Sequence, residues 1–123
     1  MTENTFIYGF EKLEVWKKSR ELNYYIYDLT DDFPYSEMKN LTSQIRRASV
    51  SISANIAEGS AKFSNKDFKR YLRISYGSAL ELISHFYLAF DRKYIDKLIL
   101  DKIKLRINEI TRMLNSLSRS LKT

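Results

Sequence analysis

Apolar positions recur along this chain at alternating steps of three and four residues, in separate runs. The first run is Val15, Leu22, Ile26, Leu29 and Phe33, with the small Ser19 completing the step between Val15 and Leu22. Such steps return side chains to one side of a helix with about 3.6 residues per turn, so the run predicts an amphipathic helix. Pro34 ends it, because proline disfavours helix at the preceding residue and cannot continue the hydrogen-bond ladder. Ser36 is the expected N-cap of the next helix, with Glu37 behind it near the positive end of the dipole. The second run is Leu41, Ile45, Ala48, Ile52, Asn55 and Gly59. Its closing glycine is expected to take the left-handed conformation that terminates helices.

After the loop Ser60-Ala61-Lys62-Phe63, the stretch Ser64-Asn65-Lys66-Asp67 has the form of a capping box, with Asp in place of the usual Glu. The third run is Phe68, Leu72, Ser75, Ala79, Leu82, Phe86 and Ala89, and Asp91-Arg92-Lys93 reads as its exit. Asp96 is the expected cap of a fourth helix carrying Ile99, Ile103, Ile107, Ile110, Leu114, Leu117 and Leu121.

Four such helices with short connections predict an all-α, antiparallel up-down-up-down four-helix bundle, with axes roughly 20° apart. The chain has 123 residues with only 3 Gly and 1 Pro, so little interrupts long helices. No linker-like stretch divides it, and residues 1–123 are expected to form a single domain in which residues 1–9 are a loosely held N-terminal segment. The absence of cysteine rules out disulfides and thiolate metal sites. There is no basic-then-apolar leader and no uncharged run approaching the ~20 residues a membrane span needs, so a cytoplasmic location without membrane contact is expected.

Charge adds a preferred region. The net charge is +6, but residues 1–35 carry −3 and residues 76–101 carry −1, whereas residues 36–75 and 102–123 carry +5 each. Positive charge gathered in two blocks points to an anionic partner, nucleic acid before a membrane surface. Lys62, Lys66, Lys69, Arg70 and Arg73 form the densest cluster, and the last four follow helical spacing with Tyr71 and Tyr76 nearby. A basic helix face with aromatics suits the phosphate backbone, and the alternative is an ordinary solvated face.

Arg46 and Arg47 are adjacent and therefore about 100° apart on a helix, so one enters a polar network while the other reaches solvent or a neighbouring subunit. Two readings stand for Asn55: an amide that fixes helix register, or part of a substrate site. With Glu58 and Glu81 it is assigned to a structural polar network, in which at least one of the two carboxylates is expected to meet an arginine inside the bundle. The only histidine, His85, shares a face with Glu81. Di-iron bundles need Glu-x-x-His on two helices plus two further carboxylates, whereas Glu81-x-x-x-His85 has a different spacing and occurs once. No catalytic residue, metal ligand or cofactor is assigned.

Several motifs together resemble one family. They are Phe10-Glu-Lys-Leu-Glu-Val-Trp16, Phe33-Pro34 with Glu37, Leu41, Gln44-Ile-Arg-Arg-Ala48, Ser51-Ile-Ser-Ala-Asn-Ile-Ala-Glu-Gly59, Phe68, Tyr71-Leu72, and Gly77-Ser78 with Glu81-Leu82. In these the chain resembles the small bacterial four-helix-bundle proteins first noticed as reading frames in intervening sequences of 23S ribosomal RNA genes. That family is similar to the accessory variability protein of diversity-generating retroelements, a basic pentamer that binds nucleic acid and a reverse transcriptase. The resemblance implies a left-handed bundle assembled as a homopentamer, without enzymatic activity. Ser19 and Ser49 stand where alanine is commoner, and both are small enough to leave the fold untouched.

Charge and resemblance together lead to an expected function: a non-enzymatic homo-oligomer that binds RNA or DNA through phosphates without reading sequence. Lys62, Lys66, Lys69, Arg70 and Arg73 are the expected contacts, with Arg46 or Arg47 contributing. The rival is a protein-interaction scaffold whose basic face meets an acidic protein partner such as a polymerase.

Overall fold

The computed structural model describes residues 6–123. Its helices are α1 (Glu14–Thr30), α2 (Leu41–Ser60), α3 (Asn65–Asp91) and α4 (Lys97–Ser120), with short 3-10 turns at Gly9–Lys12 and Tyr35–Glu37. They form the up-down-up-down bundle. Each helix packs on the next, α4 closes against α1, and the α2–α3 seam is the most extensive while α1–α4 is the sparsest. Of the N-terminal segment, residues 1–5 lie outside the described residues. Phe6, Ile7 and Tyr8 are exposed. The turn that follows is held by Phe10, whose ring meets Trp16 edge-on at 4.8 Å.

The core follows the apolar runs, with departures late in α1 and α2 and at the start of α4, where Leu100 rather than Ile99 is buried. Ile26, Ile45, Ile52, Ile56, Leu82, Phe86, Ile103 and Ile107 are fully buried, each worth about 1.5–3 kcal/mol over its exposed state. In α1 the stripe passes from Ile26 to Thr30 rather than Leu29, and in α2 from Ile52 to Ile56 rather than Asn55. At 100° per residue Thr30 and Ile56 lie nearer the centre of the buried arc of their helices than Leu29 and Asn55 do, whereas α3 keeps its stripe unshifted from Leu72 to Ala89.

The α2–α3 seam is built from small residues. Ser75 Oγ donates to the Ile52 carbonyl at 2.8 Å, and the Ser51 and Ser78 hydroxyls share a hydrogen bond of 2.7 Å. Gly59 closes this seam, and here the expectation is corrected. α2 runs through it to Ser60, and no described glycine has a positive φ. A Cβ on Gly59 would lie 2.6 Å from Tyr71 Cβ and 3.1 Å from Phe68 Cδ1. The glycine is required by the close approach of two helices, and among the described residues the left-handed one is Lys93, with φ 66° in the α3–α4 turn.

Two caps stand where the sequence places them: Ser64 Oγ accepts from the Asp67 N–H at 3.1 Å, and Asp96 Oδ1 from the Ile99 N–H at 2.8 Å. Ser36 is not the cap of α2, because a 3-10 turn intervenes. Glu37 Oε1 accepts from the Leu41 N–H at 3.2 Å instead, while its Oε2 accepts from the Tyr94 hydroxyl at 2.7 Å. The carboxylate thereby ties the α1–α2 connection to the α3–α4 turn. The Tyr94 bond first, and the Leu41 N–H second, hold its pKa below the usual value. No helix among the described residues is long and apolar enough to cross a membrane.

Candidate nucleic-acid interface

The α2–α3 connection brings the densest basic cluster to one end of the bundle. Lys62 precedes the tip residue Phe63, and Lys66, Lys69, Arg70 and Arg73 follow on the first turns of α3. All are exposed except Lys69, which is half-buried. Two have acidic neighbours at long range: Lys62 Nζ lies 3.9 Å from Glu58 Oε2, and Arg70 Nε lies 3.8 Å from Asp67 Oδ1. Both also sit over the Tyr71 ring, at 5.1 and 4.7 Å from its centroid, while the Tyr71 hydroxyl donates to Glu58 at 3.2 Å. Exposed pairs of this length are readily exchanged for a phosphate. Among the described residues, Lys66, Lys69 and Arg73 make no ion pair.

The second positive block partly joins the first. Asn65 Nδ2 donates to the Lys122 carbonyl at 2.8 Å, which fixes the end of the chain beside the start of α3. Lys122 and the last-turn Arg119 thus lie at the bundle end that carries Lys62 and Lys66. The signal for this pair was present in the charge of residues 102–123 combined with the antiparallel topology. Other cations of that block are engaged elsewhere: Lys104 donates to the Tyr87 hydroxyl at 2.6 Å, and Arg106 lies 4.6 Å above Tyr25.

The arginine pair divides. Arg46 Nε donates to Thr30 Oγ1 at 2.9 Å, its Nη2 to Asp31 Oδ1 at 2.9 Å and to the Tyr27 carbonyl at 3.3 Å, and its guanidinium lies 4.4 Å above the Tyr27 ring. It fastens α2 to the negative C-terminal end of α1. Its Nε and Nη2 donors are thereby engaged inside the subunit, while Nη1 makes no hydrogen bond among the described residues. Arg47 is exposed, beside Tyr27, Met38 and Val50.

The polar network is smaller than expected. Asn55 is half-buried, and its Nδ2 donates to the Ser51 carbonyl at 2.8 Å and to Ser51 Oγ at 3.0 Å. Through the Ser51–Ser78 bond it joins a link across α2 and α3. The two carboxylates do not take part. Glu58 and Glu81 are 57% and 52% exposed and meet Lys62 and His85, not an arginine. Both positions fall just outside the buried edges of their helices, where water solvates a carboxylate better than an interior pair would.

His85 Nε2 lies 3.3 Å from Glu81 Oε2, and its Nδ1 is buried without a partner. Among the described residues no three His, Asp or Glu side chains gather at metal-binding distance. The larger hollows are open and lie on opposite sides of the bundle. One, of about 600 Å³, runs between α3 and α4, where Leu80 and Leu105 are exposed beside Tyr76 and Ile83. The other, between α1 and α2, is lined by Tyr27, Met38, Arg47 and Val50.

The sequence matches the family model described as 23S rRNA-intervening sequence protein over residues 11–116. A crystal structure of a protein of unknown function from the S23 ribosomal protein family of Bacteroides thetaiotaomicron is similar in fold, with a TM-score of 0.77 and 30% sequence identity. The similarity covers 85% of this chain and 97% of that one. No curated protein matches the chain.

Proposed function

The chain belongs to the 23S rRNA-intervening sequence protein family, and on that premise we propose that it is a non-enzymatic bundle that holds RNA or DNA by the phosphates. The observation that carries the reading is the set of unpaired cations at one end, Lys66, Lys69 and Arg73, flanked by the loosely held Lys62 and Arg70. Lys122 and Arg119 enlarge it. Binding then draws on counterion release and ignores base identity. The reading carries with it a cytoplasmic location and self-assembly. Opposed apolar faces on α1–α2 and α3–α4 suit a head-to-tail contact, which closes into a ring when the rotation permits. A ring repeats the basic end once per subunit, and a long polyanion then gains avidity over a single site.

The test is a titration of a labelled 20-mer at several salt concentrations, together with the mass of the protein in solution. The affinity should fall linearly with salt on logarithmic axes, with a slope of about −0.7 to −0.9 per phosphate engaged. Undetectable binding at low salt overturns the proposal. The same cations, Lys62 and Arg70 with Lys66, Lys69 and Arg73, also suit one second reading, a scaffold whose basic face meets an acidic protein partner. A partner that stays bound after nuclease treatment, in a pull-down that replacing Lys66, Lys69 and Arg73 together by Glu abolishes, would support that reading.

A further inference from the structure

We propose that Phe63 is a stacking platform for a base of single-stranded nucleic acid, with Lys62 and Lys66 held to the neighbouring phosphates. The inference rests on the reading above and names the strand type it selects. Phe63 is the most exposed large apolar side chain described, at 109% of its reference accessibility. Several other exposed aromatics are tyrosines with a hydroxyl for water, whereas this ring has no polar atom and leaves its π-faces open at the apex of the α2–α3 connection. Nothing inside the subunit needs it there.

The tip that carries the ring is short and pinned at both ends. The Ala61 and Lys62 N–H groups donate to the Glu58 and Gly59 carbonyls at 3.2 and 3.1 Å, and Ser64 caps α3. The backbone on either side of the ring is therefore held, and binding has mainly the ring's own rotamer left to order. A cation lies one residue before it and another three residues after it. An aromatic face between cations is how sequence-tolerant single-strand sites hold successive nucleotides, since every base has a π-face. Insertion as a wedge into a duplex is disfavoured, because a wedge needs adjoining protein surface for the bent duplex to wrap, and Phe63 stands clear of the surrounding side chains.

The test uses the full chain with three labelled probes: an oligo(U) RNA 20-mer, an oligo(dT) 20-mer and a 20-base-pair duplex. Phe63→Ala should weaken both single strands about 5- to 140-fold, as expected for losing one stacked base. Phe63→Trp should keep single-strand affinity, and the salt slope, the duplex affinity and the solution mass should all stay as in the wild type. An equal loss on the duplex would make the ring a wedge, and a lower mass would make it a subunit contact; either overturns the inference. Unchanged single-strand affinity in Phe63→Ala sinks the platform alone, whereas a wild-type chain that binds none of the probes sinks the nucleic-acid reading and the platform with it.

Discussion

Replacing either of two helical glycines by alanine should move stability in opposite directions. Alanine gains about 1 kcal/mol of helix propensity over glycine. Gly77, on the exposed face of α3, has nothing within 4 Å of a built Cβ, so Gly77→Ala should keep the whole gain. At Gly59 the same Cβ falls 2.6 Å from Tyr71 Cβ, about 1 Å short of ordinary carbon contact. The obstacle is fixed to the α3 backbone, so no rotamer relieves it and the helices must part. Overpacking of this kind costs about 1–3 kcal/mol. Parting also lengthens the Ser75–Ile52 and Ser51–Ser78 bonds along the same seam, each worth about 1 kcal/mol. After the propensity gain is offset, Gly59→Ala should destabilise by about 1–3 kcal/mol. Urea unfolding followed by helical circular dichroism reads this directly: with a slope of about 1.5 kcal/mol/M, a 2 kcal/mol loss lowers the midpoint by about 1.3 M. Gly59→Asn separates close approach from a left-handed role. Asparagine tolerates the left-handed region, so it would outrank alanine if the conformation mattered and fall below it if space does. A Gly59→Ala midpoint at or above that of the wild type would refute the close-approach account.

The arginine pair should separate under the same assay. Arg46→Ala should cost about 2–3 kcal/mol for its charged hydrogen bonds to α1, Arg46→Lys should recover less than half because an ammonium has no fork, and Arg47→Ala should stay within about 0.5 kcal/mol; the reverse order would count against the assignment. Glu37 has a folded pKa below its ordinary value, so its stabilisation is complete above the ordinary value and fades as the pH falls through the folded pKa. Thermal melts of Glu37→Gln from pH 6 to pH 3 should therefore decline less steeply than those of the wild type, and parallel curves would argue against the Tyr94 link. Replacing Lys66, Lys69 and Arg73 together by Gln should reduce the salt slope of nucleic-acid binding by about 2–3 while leaving the urea midpoint in place; an unchanged slope would remove these residues from the interface.

What the sequence discloses depends on how far apart the partners lie along it. Ser64 and Asp96 cap groups three residues away, and local chemistry alone identifies them. The core stripe is legible in the same way through α3, whereas α1 and α2 bury Thr30 and Ile56 in place of Leu29 and Asn55, a choice that the apolar spacing alone does not show. Gly59 shows the limit: a glycine at a helix end fits a terminating role on local grounds, and only the facing Tyr71 reveals that the missing Cβ is what matters. The Arg46–Thr30 and Tyr94–Glu37 contacts span 16 and 57 residues, so side-chain pairing at that range was beyond pattern reading. The basic end follows the same division. The abundance of charge in two blocks is a property of composition, but its meeting at one end depends on α2, α3 and α4 running antiparallel and on the Asn65–Lys122 bond. Adding Lys122 extends the candidate surface at the tip around Phe63. There cations and an unsheltered ring share the same few residues, and the proposed single-strand contact rests on that nearness.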